Sequence, residues 1–424
     1  MPDKPVIVDT SIVAVGVQPT AYQNIGIVGQ DAGGSADDDT VMELTTLADV
    51  ATYFGATSDI YKAAQRIFAL GVARVWCVRA AQTDVSAESV TAGSEQTLAN
   101  GPPISGRTFP TIATYTGEFT YEDPVTDPGA SKFAINAKTG KIYVNNAGDK
   151  DLDYSYVTWA TAIAALADYP VRIVVLANHP MGMDYYGDLD DFITNGCDVK
   201  QWVIPVMSLN TATKDEVVID IGKYSSKNVI GVAHKDSTMD VAAIVAAKMS
   251  IVEPWDKMMW KVIPNVTMAT YWTSTEIGAL ETAKCNAIIK KGDYNLISDG
   301  LTSAGGDYKH IDITRTQYYL QDNFISALES LIQNNRVPYE PSGLGIVKST
   351  IARVCDEAVS VGALREPFLD TSTQKMQNGY AIEMPDFGSI AAADKTNREL
   401  KNIYVTVWLA GHIQTITMNL EIQL

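Results

Sequence analysis

Residues 402–424 read NIYVTVWLAGHIQTITMNLEIQL. From Ile403 the apolar residues take odd positions: Ile403, Val405, Val407 and Leu409. After Ala410-Gly411-His412 they move to even positions, Ile416, Met418, Leu420, Ile422 and Leu424, alternating with Thr415, Thr417, Asn419, Glu421 and Gln423. A period of two marks a strand with one buried and one wet face. The sequence is therefore expected to finish in two strands with a bend at Gly411. The last strand presents an outer edge of unpaired N–H and C=O groups, which another chain can pair with. The alternative is a hairpin closed within its own sheet.

The other end has a similar character. Val6-Ile7-Val8 and Ile12-Val13-Ala14-Val15 are short apolar runs separated by Asp9-Thr10-Ser11 and flanked by Pro2, Pro5 and Pro19. They are β-capable but too short to make a sheet alone. Residues 1–21 read as an arm that pairs elsewhere, the alternative being an ordinary first strand of the adjoining domain.

Between the ends the texture changes several times. Residues 22–84 form a first α/β part. Ile25-Gly26-Ile27-Val28-Gly29 is a buried strand, and Ser58 caps a helix whose stripe is Ile60, Ala63, Ala64, Ile67 and Phe68. A strand over 72–80 comes after Gly71. Residues 85–155 are dense in Ser, Thr, Gly and Pro, with short β runs near 111–115, 132–135 and 141–144, and read as an inserted β-rich domain. Residues 156–265 return to α/β, with buried strands over 171–177, 202–207 and 228–233 and an Ala/Val-rich helix over 240–251. Residues 266–424 form a helix-rich α+β domain. Thr273-Ser274-Thr275-Glu276 is a capping box, and the helix it opens is expected to carry Ile277, Leu280, Ala287 and Ile288 and to stop before Gly292. Helices over 317–334 and 344–361 form a packed pair, and the chain after Pro367 is irregular up to the terminal strands. The expected fold class is thus multi-domain α/β and α+β: α/β layers, an inserted small β domain, and a C-terminal α+β domain ending in two strands.

Composition narrows the function. The chain has 424 residues, of which 46% are hydrophobic and 19% charged, so globular cores are expected and disorder is not. Lys plus Arg total 32 against 50 Asp plus Glu, a net charge of -18. That balance argues against a nucleic-acid surface and favours solubility at high concentration, or a halophilic or calcium-rich setting. Cys77, Cys197, Cys285 and Cys355 are far apart and show no C-x-x-C, which favours buried free thiols and a reducing compartment. No signal peptide or membrane span is expected.

Motifs for chemistry are missing. His179, His234, His310 and His412 stand too far apart in sequence to form a helical metal pair. Gly33-Gly34 beside Asp37-Asp38-Asp39 lacks the G-x-G-x-x-G spacing, and the acidic triplet would repel phosphate. Asp149, Asp151 and Asp153 begin like a calcium loop, but Tyr154 and Ala160 stand where Gly and Glu are needed. No catalytic, cofactor-binding or metal residue is assigned, no cofactor is implied, and the chain reads as a non-enzyme. The enzymatic alternative is an α/β hydrolase-like or nucleotide-dependent site near Asn178-His179-Pro180. A third class is a carbohydrate-binding or adhesion protein, suggested by the β insertion and by aromatics such as Trp255, Trp260 and Trp272.

Several segments resemble contractile tail sheath proteins. The stretch Ala21-Tyr22-Gln23-Asn24 leading into Ile25–Gly29 is similar to their arm and first strand. The helix, Gly71 and a strand ending in Val78-Arg79 are similar to their next unit. Thr139-Gly140-Lys141-Ile142 with Tyr154-Ser155-Tyr156, the lead-in at 307–316, and above all the ending at 403–424 continue the likeness. Where such proteins carry Gly-Pro-Trp, this chain has Glu253-Pro254-Trp255. The resemblance implies a structural subunit of a phage or virus tail, or of a related contractile injection system. It implies stacked rings of copies of itself around an inner tail tube protein, with baseplate and terminator proteins as further partners. Neither nucleic acid nor direct membrane insertion is implied, and the location is the virion tail, assembled in the host cytoplasm. The inter-subunit arms would be Val6, Ile7, Val8, Ile12, Val13 and Val15 at one end and Ile416, Met418, Leu420, Ile422 and Leu424 at the other.

Overall fold

The computed structural model describes residues 6–7, 23–30, 33–99, 110–120, 124–136, 141–145, 149–177, 201–203, 225–235, 241–267, 271–370 and 374–411. The first elements are β1 (Val6–Ile7), β2 (Ile25–Gly29), β3 (Met42–Leu44), α1 (Leu47–Phe54), α2 (Asp59–Phe68) and β4 (Val75–Arg79). Seven strands come next: β5 (Ala81–Val90), β6 (Glu95–Thr97), β7 (Thr111–Ile112), β8 (Thr116–Thr120), β9 (Lys132–Asn136), β10 (Lys141–Val144) and β11 (Lys150–Thr158). They lead to α3 (Trp159–Ala165), β12 (Ile173–Leu176), β13 (Gln201–Val203), β14 (Val229–Ala233), α4 (Val241–Ile251), α5 (Ser274–Thr282), β15 (Cys285–Lys291) and β16 (Tyr294–Ile297). The last are α6 (Ile311–Asn334), α7 (Pro341–Ser360), β17 (Phe368–Asp370), β18 (Lys375–Gln377), β19 (Tyr380–Glu383), α8 (Ala392–Asn397) and β20 (Tyr404–Val407). The chain divides into two compact units. One holds residues 1–22, 252–259 and 306–424; the other holds 23–251 and 260–305.

The larger unit is built on an eight-stranded sheet of order β16-β15-β14-β13-β12-β2-β4-β3. Strands β2, β4 and β12 to β15 run parallel, and β3 and β16 close the edges antiparallel. Every residue of β2, β12 and β14 is buried, so these continuous apolar runs behave as the centre of a sheet covered on both faces. Helix α2 starts where the Ser58 hydroxyl accepts from the Tyr61 N–H at 2.9 Å, and it buries Ile60, Ala63, Ala64 and Ile67. Helix α4 packs against α2 and the sheet and is apolar almost all round, as a helix enclosed on every side must be. Gly34 serves packing: a Cβ there would lie 2.0 Å from the Tyr53 carbonyl oxygen.

The segment expected to continue the capping-box helix does otherwise. Thr273 and Glu276 form the capping box, but α5 ends at Thr282 and Lys284 turns through φ 63°. Ala287 and Ile288 then lie on β15, paired to β14 on one side and β16 on the other. The run Cys285-Asn286-Ala287-Ile288-Ile289 suits a buried parallel strand as well as a helix, and the tertiary pairing decides. Gly292, expected to stop the helix, lies in the turn between β15 and β16. Strands β15 and β16, which the sequence pattern groups with the helix-rich part, therefore complete the large sheet. Asn286 is fully buried on β15 and satisfied on both sides of its amide. Its Nδ2 donates to the Gly231 and Leu301 carbonyls at 2.8 Å, and its Oδ1 accepts from the Gly300 and Leu301 N–H groups.

Strands β5 to β11 form the inserted β region, as two small sheets of order β6-β10-β9-β8 and β5-β11-β7. Their core is their own: Val90, Leu98, Ile112, Phe133, Ile135, Ile142, Val144, Leu152 and Tyr154 pack together. Asp153 sits on β11, where its carboxylate accepts from the Ala87 N–H at 2.7 Å.

The smaller unit is organised by α6 and α7, which pack as a pair. Buried Arg315 on α6 donates to the carbonyls of Val252 and Glu253. The stretch after Pro367, expected to be irregular, contains β17, β18, β19 and α8. These elements are only three to six residues long, too short for a periodicity to stand out.

Candidate assembly interface

Both regions that the sequence marks as arms lead to a three-stranded sheet of order β1-β20-β19 in the smaller unit. Strand β20 is its centre. On one side Val407 pairs with Tyr380 and Tyr404 with Glu383 of β19. On the other, Val407 pairs with Val6 and Thr406 with Ile7 of β1, again antiparallel.

The sheet rests on the helix pair. Val407 is 1% exposed and joins Leu320 and Phe324 of α6 and Ile351, Val354, Cys355 and Ala358 of α7 in one apolar cluster. Val405 and Leu409 pack on the same cluster, as the odd-position alternation requires. Burial, with the Asp356 charge as the lesser cause, pushes the Cys355 thiol up to about 12, so it stays protonated and inert.

Three contacts fix β20 beyond the ladder. The Arg365 N–H donates to the Trp408 carbonyl at 2.8 Å, the Trp408 N–H donates to the Gly379 carbonyl at 2.9 Å, and Leu364 bridges Leu409. Gly379 is demanded by this closeness, because a Cβ there would stand 1.9 Å from the Arg365 carbonyl oxygen. The Phe368 ring meets Trp408 edge-on at 5.9 Å, and the Arg365 guanidinium lies 4.0 Å from the centre of the same Phe368 ring. From β19, the Tyr380 hydroxyl donates to Asp356 on α7 at 2.6 Å. Burial first, and then this hydrogen bond to a carboxylate, push the Tyr380 phenol up to about 12.

Of the expected arm residues, the structure places Val6 and Ile7. They form β1, paired antiparallel to β20. Val8, Ile12, Val13, Val15, Ile416, Met418, Leu420, Ile422 and Leu424 lie outside the described residues, as do Asn178 and His179 of the enzymatic alternative. The residues that hold β20 in place, Arg365, Gly379, Tyr380 and Asp356, were not anticipated. Asn378-Gly379 is a turn signal that could have announced β19. Among the described residues no group of His, Cys, Asp and Glu could hold a metal ion. No helix among them is long and apolar enough to cross a membrane.

Residues 311–422 match the family model of the E217 tail sheath protein gp31-like C-terminal domain. That range begins at α6 and takes in α7, β19 and β20. Among solved structures, a chain from the helical sheath of the anti-feeding prophage in the contracted state is 12% identical with a TM-score of 0.56, over 99% of this chain and 98% of that one. A sheath tail protein from Desulfitobacterium hafniense is 11% identical with a TM-score of 0.54, over 98% and 99%. A sheath tail protein from Listeria innocua is 10% identical with a TM-score of 0.51, over 86% and 91%. No curated protein matches the chain. At these identities the structural likeness is one of fold, a mixed α/β architecture with several small sheets. The resemblance read from the sequence thus has two independent supports: residues 311–422 match the gp31-like tail sheath C-terminal model, and nearly the whole chain shares its fold with these sheath chains.

Proposed function

We propose that this chain is the structural subunit of a contractile tail sheath, with no enzymatic role. Copies stack as rings around an inner tail tube and attach to baseplate and terminator proteins. Neighbours are linked by completing the β1-β20-β19 sheet across copies. The observation that carries this reading is that β1 and β20, from near opposite ends of the sequence, pair in one small sheet on the gp31-like helix pair.

The physical logic is strand exchange. Strand β1 is two residues long, and 15 residues, 8 to 22, separate it in sequence from residue 23, where the described chain resumes. An extended stretch of that length spans up to about 50 Å. The same strand can therefore be supplied by a neighbour with identical main-chain bonds. Closure within one chain is favoured when subunits are dilute, and exchange when they are crowded. The terminal segment 413–424, with Ile416 to Leu424 alternating, would add a further strand between copies.

Main-chain pairing keeps such a lattice connected while the bodies of the subunits rotate and repack as rigid units during contraction. The extended lattice is then a metastable state, and the tube is driven through the target envelope by the summed relaxation of many subunits.

Negative-stain microscopy of the purified protein over a range of concentrations tests this. Tubes or stacked rings at high concentration are expected. A protein that stays monodisperse as it is concentrated would contradict the reading.

A further inference from the structure

The larger unit carries a second surface, at the β16 edge of its sheet. A cavity of about 340 Å³ opens there between Trp260, Tyr271, Trp272, Lys290 and Lys291. Its rings face solvent unusually freely: Trp260 is 44% exposed and Tyr271 51%, and Tyr294 on β16 is 62% exposed. Lysine ammonium groups lie over these rings. Lys291 Nζ is 3.9 Å from the centre of Trp260, Lys290 Nζ 5.7 Å from Tyr271, and Lys235 Nζ 5.1 Å from Trp272. Lys235 is already paired with Glu276 at 3.1 Å. Lys290 and Lys291 have no carboxylate partner among the described residues. A cation resting on an aromatic face keeps its other side open to an anion.

In a chain of net charge -18, such a cationic aromatic cavity stands against the general field. Its complement lies toward the opposite edge of the same sheet. The loop Asp37-Asp38-Asp39 precedes β3 and packs on the end of β4, where the Asp39 N–H donates to the Arg79 carbonyl at 2.9 Å. The Arg79 guanidinium pairs with Asp38 at 2.6 Å, one cation beside three carboxylates. Strands β4 and β15 run in the same direction, so Arg79 and Lys291 mark the same end of the sheet. Five inter-strand steps of about 4.8 Å separate these strands, about 24 Å in all. That is about three screening lengths at physiological salt. Within one chain the two charge clusters cannot satisfy each other; between two copies they can.

We propose that the Asp37–Asp39 loop of one copy docks into the Trp260/Tyr271/Lys290/Lys291 cavity of the next, a head-to-tail contact between opposite edges of the large sheet. Unlike surfaces meeting in this way propagate into rings or open helices. Exposed Trp and Tyr supply the apolar area that usually dominates such contacts, and the lysines supply register. The inference rests on the chain associating with itself, but not on strand exchange.

Carbodiimide crosslinking of the full chain at polymerising concentration, using a mixture of isotope-labelled and unlabelled protein, tests it by mass spectrometry. Expected are mixed-label crosslinks from Lys290 or Lys291 to Asp37, Asp38 or Asp39. K290E/K291E is expected to weaken self-association at least tenfold. Crosslinks from these lysines only to other carboxylates or only within a chain, no crosslinks from them at all, or unchanged association of K290E/K291E would overturn the proposal. Tubes formed without this crosslink would sink the docking contact and leave the sheath reading standing. The crosslink without tubes would do the reverse.

Discussion

The eight-stranded sheet and the terminal three-stranded sheet differ in what completes them. The large sheet is finished by its own chain: its central strands are buried on both faces, and Asn286 locks β15 to the loop at 300–301 and to β14 through four hydrogen bonds. The terminal sheet has one well-seated strand, β20, and an outer strand of only two residues. The first arrangement makes a rigid body. The second holds a position that costs little stability to vacate. Under the proposed sheath role, a subunit that moves as a block while staying tied to its neighbours needs both.

Substitutions should separate the two roles by size of effect. N286A removes the partner of four buried backbone groups, each costly to leave unpaired, and should destabilise the larger unit by about 4 kcal/mol in urea unfolding. A much smaller loss would mean the strand is held mainly by its ladder. L320A, under the terminal sheet, should cost about 3 kcal/mol by opening a cavity in the helix-pair core. G379A forces a Cβ against the Arg365 carbonyl and should cost about 2 kcal/mol, detectable as a lower unfolding midpoint. T273A should cost about 1 kcal/mol through the lost cap.

The same cap has a pH signature. Hydrogen bonds from Thr273, then the Lys235 pair, hold the Glu276 carboxyl at about 2 against an ordinary 4.5. A lowered acid contributes stability above its unfolded value and loses it as pH falls through the folded one. The wild-type advantage over T273A should therefore be constant at neutral pH and shrink between about 4.5 and about 2 in acid titrations followed by circular dichroism. At the bottom of the scale, I7P should change monomer stability by less than about 1 kcal/mol, since it removes at most one or two ladder bonds, yet it should abolish tubes by microscopy. A variant that lost stability without losing assembly would invert the comparison.

Much of the large sheet was legible because it is locally encoded. Ile25–Gly29 is continuously apolar, Ser58 caps the helix it precedes, and the capping box at Thr273 appears as written. The misreading at 285–291 came from apolar residues that fit either period, with the choice made by pairing to β14. β20 was visible in the alternation of Ile403 to Leu409. Its partners were not: Val6 meets Val407 across nearly the whole sequence, and β19 is a four-residue strand with no strong pattern. The docking cavity is assembled from residues on a loop, a helix and a strand, so no single stretch announces it.

The most direct test uses the register of the terminal sheet, in which Ile7 faces Thr406. Tubes would be assembled from an equal mixture of I7C chains and T406C chains and then oxidised. Strand exchange predicts disulfide-linked pairs joining one chain of each kind. If the mixed tubes yield no such pairs, while I7C/T406C chains in tubes close their disulfide only within themselves, the sheet is not shared between copies and the account fails.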